Sequence, residues 1–296
     1  MYEDIRKNKI KTGFIVGGFL VIITLIVYYI CLAFDFGPFS IIFALIVSII
    51  SSFITYYNSD KIVLALNRAR PATVEENRKL VNILDALVVA AGLESKPKLY
   101  IIDDMQPNAF ATGRNPENAV ICVTSGLLEK MDYYELEGVI AHELAHVKNY
   151  DILLSAVVSV MVGLVVMLSD MFTRTFFFSN KKDSDSKGNA ILMLIGLVFL
   201  IISPIFAKLI QLAVSRRREY LADATAVGFT RNPDGLVNAL KKLDQDDQQL
   251  KFANSSTAHM YIVNPFKSNA NAKRKTNWFS THPSIENRIT AINDLK

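Results

Sequence analysis

The chain has 296 residues, 51% of them apolar and 20% charged, with a formal net charge of +4 and 2 cysteines. That length holds one or two domains with a sizeable core. The cysteines, Cys31 in an apolar run and Cys122 in a predicted strand, exclude a disulfide-built scaffold. The mild positive charge suits an anionic lipid surface, and no interleaved basic and aromatic pattern points to nucleic acid.

The apolar residues are clumped. Residues 13–34 and 36–57 carry no charge, and each reaches the roughly 20 residues an α-helix needs to cross about 30 Å of hydrocarbon. A cleaved signal peptide would have a shorter apolar core, so both runs read as retained spans. Two shorter uncharged runs, 152–169 and 188–207, predict a second hairpin, kinked at Pro204. The expected layout is a tail and hairpin over 1–58, a soluble part over 59–151, the second hairpin over 152–207 and a second soluble part over 208–296. Arg6, Lys7, Lys9, Lys11, Lys61, Arg68, Arg70, Lys148, Arg216, Arg217 and Arg218 then share one side, against Arg174, Lys181, Lys182 and Lys187 on the other. The positive-inside rule puts the N-terminus in the cytoplasm.

In the first soluble part, Thr73-Val-Glu-Glu76 predicts a capping box ahead of an amphipathic helix with Leu80, Val81, Ile83, Leu84 and Leu87 on its apolar face. Residues 96–103 and 118–126 alternate and are β-branched, which predicts strands. Between them lies a Pro-, Gly- and Asn-rich connection with a turn at Arg114–Pro116. Asp132 and Glu135 predict another helix start. In the second part the fourth span continues as helix through residue 229. "NPDGLVNALKKLDQ" predicts one more amphipathic helix, and 254–280 reads as a mobile loop or lid.

The helix behind Asp132 carries His142-Glu143-Leu144-Ala145-His146. Residues four apart share a helix face, so both imidazoles can aim at one ion. Glu143, turned about 100° from His142, can reach a water on that ion. A catalytic zinc needs a third protein ligand. A metzincin would place Gly at 149 and His at 152, where this chain has Asn149 and Ile152. The Asp234-Gly235 pair opens a soluble helix and needs no metal to explain it. In "RRREYLADA", Glu219 and Asp223 are again four apart. One carboxylate can bind zinc while the other accepts the free ring N–H of a histidine ligand. His259 and His282 are rival third ligands.

"HELAH" followed by "NYD", then "RRREYLADA", "QPNAFATG" and "STHPSIENRI", resembles the HtpX-type membrane metallopeptidases, in a wider group that includes the CAAX prenyl endopeptidase. The resemblance covers nearly the whole chain. It implies His142, His146 and Glu219 as ligands of one Zn2+ and Glu143 as general base. It also implies a mainly α integral membrane protein of four transmembrane helices with a gluzincin-like α+β domain and a small sheet. The implied location is the bacterial cytoplasmic membrane, active site inward, and the implied role is clearing misfolded or damaged membrane polypeptides under stress. One departure stands out, Tyr150 where a small residue is commoner. His282 and Arg288 are candidate oxyanion donors. The strand at Ala119–Thr124 is a candidate for strand addition by substrate, with Asn108 and Ala109 adding to that cleft. The competing readings are a dedicated processing peptidase and a non-enzymatic zinc-binding membrane protein.

Overall fold

The computed structural model describes residues 2–33, 36–75, 77–164, 215–251, 253–266 and 283–295. Helices α1 (Tyr2–Ala33) and α2 (Ser40–Leu66) pack against each other. Along α2 the face turned inward is small: Ser40, Ala44, Ser48, Ser52, Thr55 and Ser59 are buried, four or three apart. Its large side chains, Ile42, Phe43, Ile46, Ile49, Phe53 and others, point outward and are exposed. Small residues let two helix backbones approach, and a large apolar outer surface suits hydrocarbon. The stretches Ile10–Tyr28 and Ser40–Leu66 are each long and apolar enough to cross a membrane.

Beyond α2 lies a four-stranded sheet of β1 (Arg70–Pro71), β2 (Lys98–Ile102), β3 (Ala109–Gly113) and β4 (Ala119–Thr124), in the order β1-β2-β4-β3. β2 runs parallel to β4, while β1–β2 and β3–β4 are antiparallel. The β3 strand lies inside the connection that sequence read as turn and loop. All its residues are buried, so no polar face advertises it. Helix α3 (Arg78–Ala91) opens later than the Thr73 capping box predicts. The backbone N–H of Asn77 bonds the Thr73 carbonyl in a turn, and α3 begins after it. Glu76 lies outside the described residues.

A short helix, α4 (Ser125–Lys130), leads into α5 (Tyr133–Lys148). Here the predicted capping box is complete: Asp132 accepts from the Glu135 N–H and the Glu135 side chain accepts from the Asp132 N–H. Helix α5 is the centre of the core, packed on the sheet, on α3, on α7 (Arg216–Thr230) and on α8 (Pro233–Gln245). Gly138 makes one of these approaches possible, since a Cβ there would stand 2.7 Å from the Leu236 backbone nitrogen. The chain then turns by 86° into α6 (Asp151–Leu164), whose Leu154, Val157, Val158 and Met161 pack on Ile15 and Phe19 of α1. The turn is made by Tyr150, at φ +59° in the left-handed region where glycine is at home.

Two expectations change. The helix expected to run unbroken through residue 229 starts afresh at Arg216, because Ser215 is extended at φ −123° and ψ 123°. Residues 254–266, expected within the mobile loop 254–280, are docked instead: Tyr261, Ile262 and Val263 are buried, and the Thr257 and Tyr261 hydroxyls both donate to Asn67 Oδ1 at 2.9 Å, while 267–280 lie outside the described residues. The last helix is α9 (Ile285–Asn293). Of the two later apolar runs, residues 152–164 are helical and mostly buried, while 165–169 and 188–207 lie outside the described residues.

Candidate active site

Helix α5 presents His142, Glu143 and His146 from the middle of the core, and the first turn of α7 brings Glu219 across from it. His142 is 1% exposed, Glu143 2% and Glu219 6%. The two Nε2 atoms stand 3.3 Å apart. Glu219 Oε2 lies 3.8 Å from the first, and Oε1 lies 3.6 Å from the second. Two nitrogens held at roughly 2.0–2.1 Å by one tetrahedral ion stand about 3.3–3.4 Å apart, so the histidine pair is already at ligand spacing. Among the described residues, this His142, His146 and Glu219 group alone gathers three such side chains, with ligand atoms within 4.8 Å of one another. Two imidazoles and a carboxylate suit a divalent ion of the zinc type.

Each histidine is backed by a carboxylate, and each carboxylate by an arginine. His142 Nδ1 is 2.9 Å from Asp223 Oδ1, and Asp223 accepts from Arg288 at 2.8 and 2.6 Å. His146 Nδ1 is 3.1 Å from Asp151 Oδ2, whose other oxygen accepts from Arg218 at 3.3 Å. A ring N–H held this way leaves the Nε2 lone pair facing the metal position. Burial works against the Asp223 charge, but Arg288 and His142 outweigh it and hold the carboxyl at about 2. Burial works against the His146 cation too, but the hydrogen bond to Asp151 and the Glu219 carboxylate raise it to about 9. A metal therefore competes with a proton there. Burial pushes Glu143 up to about 7, against the nearby His146 charge.

Residues 74–296 match Peptidase family M48. The chain belongs to peptidase family M48. The Protease HtpX homolog of Dictyoglomus thermophilum is 44% identical over 291 residues, covering 98% of this chain and 93% of that protein. The homolog of Thermoanaerobacter pseudethanolicus is 41% identical over 299 residues, covering 100% and 98%. The crystal structure of S. mikatae Ste24p aligns with a TM-score of 0.48 at 20% identity, covering 97% of this chain and 64% of that one. As an M48 peptidase with two helices among the described residues able to cross a bilayer, the chain is a membrane metallopeptidase that acts on polypeptides.

The other expected M48 site residues fall unevenly. Arg288 is fully buried, donates to Asp223 and to the Ile262 carbonyl at 3.3 Å, and keeps its guanidinium 3.9 Å from Glu219 Oε2 and 3.4 Å from the His142 ring nitrogens. His282 lies outside the described residues. His259 lines the same cavity as His142, Glu143, His146 and Glu219, without joining the ligand cluster. Strand β4 is paired on both sides and has no edge to offer a substrate. The edge belongs to β3. There the Ala109 carbonyl accepts from the Ile262 N–H at 3.0 Å, and the Ala111 N–H reaches Glu143. Asn108 is buried and ties this edge to residue 263, donating to the Val263 carbonyl at 3.0 Å. Sequence reasoning missed Asp151 and Arg218. The signal was present in Asp151, five residues beyond His146, but it needs a break between the helices to become a contact.

Proposed function

We propose that the chain is a zinc-dependent endopeptidase of the bacterial cytoplasmic membrane that cuts misfolded or damaged membrane proteins at the cytoplasmic face. The convergence of His142, His146 and Glu219 beside the buried carboxyl of Glu143 carries the reading. When bound, zinc would supply a Lewis acid that brings a water's pKa toward about 7. Glu143, itself at about 7, takes the proton of the attacking water and passes it to the leaving amine. Asp223 and Asp151 keep the two imidazoles oriented and their Nε2 lone pairs exposed. The peptidase unit is discontinuous, 59–151 with 208–296, and the second hairpin over 152–207 returns the chain to the same side. The excess of Lys and Arg on the flanks of that side supports an inward active site.

Glu143→Gln tests the role of the base. The variant should keep zinc and lose cleavage of an unfolded polypeptide by at least about a hundredfold, the usual worth of a positioned acid–base group. Retained cleavage would remove Glu143 from the chemistry.

A further inference from the structure

Two cavities share one wall. The cavity at His142, Glu143, His146 and Glu219 measures about 30 Å³ and is bounded by Asp151, Ile152 and Ser155 of α6. That is room for a couple of waters or a peptide carbonyl, not for a substrate side chain. On the other side of the same stretch, Tyr150 and Leu153 bound a cleft of about 670 Å³. Its remaining walls come from Gly13 and Val16 of α1, Tyr56 of α2 and the turn after β3 at Arg114. A volume of this order holds several side chains.

We propose that this cleft receives an extended segment of the substrate polypeptide where it leaves the membrane, a few residues from the bond that is cut; this rests on the peptidase reading above. Strand β3 gives the line. Ala111 stands in the wall of the zinc cavity, with its N–H on Glu143, and the strand ends at Gly113. At about 3.3 Å per residue, Arg114 lies about 10 Å further on, and Arg114 is already in the cleft. Ile262 already holds this edge at Ala109, so a peptide laid along the stretch from Ala111 to Arg114 has its reacting carbonyl at Glu143 and a side chain three or four residues away in the cleft. Gly13 and Val16 lie near the start of the apolar stretch Ile10–Tyr28, so the cleft opens where an anchored chain would emerge from hydrocarbon. Its lining sets Val16, Leu153 and two tyrosines beside the polar Arg114 and Glu117, which suits a large aromatic substrate side chain with a polar end.

Tyr150 is the second observation. A residue with a Cβ avoids the left-handed region, yet Tyr150 holds φ +59° with its side chain in this cleft. An unfavourable backbone kept at a cleft points to use of the side chain.

The test compares zinc-loaded, full-length protein in lipid nanodiscs, cutting an unfolded polypeptide fused to a transmembrane helix. A Cβ added at Gly13 meets nothing within 4 Å, and the same holds at Gly18 on the same helix, outside the cleft. Gly13→Trp should lower kcat/KM about tenfold or more by filling the cleft, while Gly18→Trp stays within about twofold. Tyr150→Gly should raise Tm and yet raise KM several-fold at unchanged kcat, a split that a purely structural tyrosine would not give. Wild-type kcat/KM in Gly13→Trp, an equal fall in Gly18→Trp, or an unchanged KM in Tyr150→Gly would each overturn the proposal. A zinc-loaded wild type that cuts nothing would instead overturn the peptidase reading beneath it.

Discussion

The two histidines are held by the same chemistry in different surroundings. Around His142 the support is sealed: the side chains of Asp223 and Arg288 are 2% and 0% exposed, and they come from α7 and α9. Around His146 it is looser: the ring and the Arg218 side chain are 16% and 15% exposed, and Asp151 stands five residues away, just past the bend into α6. A buried ion pair assembled from distant elements ties the fold together, whereas a local pair near water mainly orients a ring. Stability and metal affinity should therefore separate between the two.

The largest effect should come from breaking the sealed side. Asp223→Ala leaves the buried Arg288 charge without its hydrogen-bonded partner and only Glu219 at 3.9 Å, where breaking a buried pair costs about 3–5 kcal/mol in comparable cases. Chemical denaturation should show that loss, and a smaller one for Asp151→Ala, since Arg218 can turn toward water although Asp151 itself is only 6% exposed. Equal losses would erase the distinction. The same carboxyl gives a pH signature. Held at about 2 against an ordinary 3.8, Asp223 contributes stability above pH 3.8 that disappears as pH falls toward 2.

Next in size is Glu143 in metal-free protein. Its carboxyl sits at about 7 against an ordinary 4.5, so the fold favours the neutral form and loses stability as pH rises from 4.5 through 7. Glu143→Gln should then stabilise the metal-free protein by on the order of 2–3 kcal/mol above pH 7 and by nothing below 4.5. A pH-independent difference between the two unfolding curves would contradict this. Asp151→Asn sharpens the contrast from the metal side, with zinc affinity falling about 10–100-fold in competition with a chelator while stability changes little. The smallest effect belongs to the bend itself: Tyr150→Gly should raise stability by about 1 kcal/mol by relieving the left-handed φ.

What sequence made legible follows the same division. The spacing of His142, Glu143 and His146 on a capped helix, and of Glu219 and Asp223 on another, is periodic and local, so the faces are readable before any fold is known. The histidines approach to 3.3 Å and Asp223 stands 2.9 Å from His142 Nδ1. Contacts that depend on breaks and docking are not periodic. Asp151 reaches His146 only because the chain turns by 86° after Tyr150. Strand β3 is short, fully buried and rich in small residues, without the alternation that marks 98–102. Residues 253–266 mix apolar and polar residues without a helical or strand period, and hydrogen bonds to Asn67 and Asn108 dock them against the core. Sequence offered Arg288 as an oxyanion donor or a salt-bridge partner, and its Asp223 partner, 65 residues away, is a contact that no periodicity marks.

The central claim is that a ligand set split by more than seventy residues closes on one ion, His142 and His146 from α5 and Glu219 from α7. Metal content per chain, measured on purified full-length wild type and Glu219→Ala at matched free zinc, tests it directly. The account predicts one zinc per chain in the wild type and at least about a tenfold weaker hold in the variant. Full zinc occupancy in Glu219→Ala, with unchanged affinity, would contradict it.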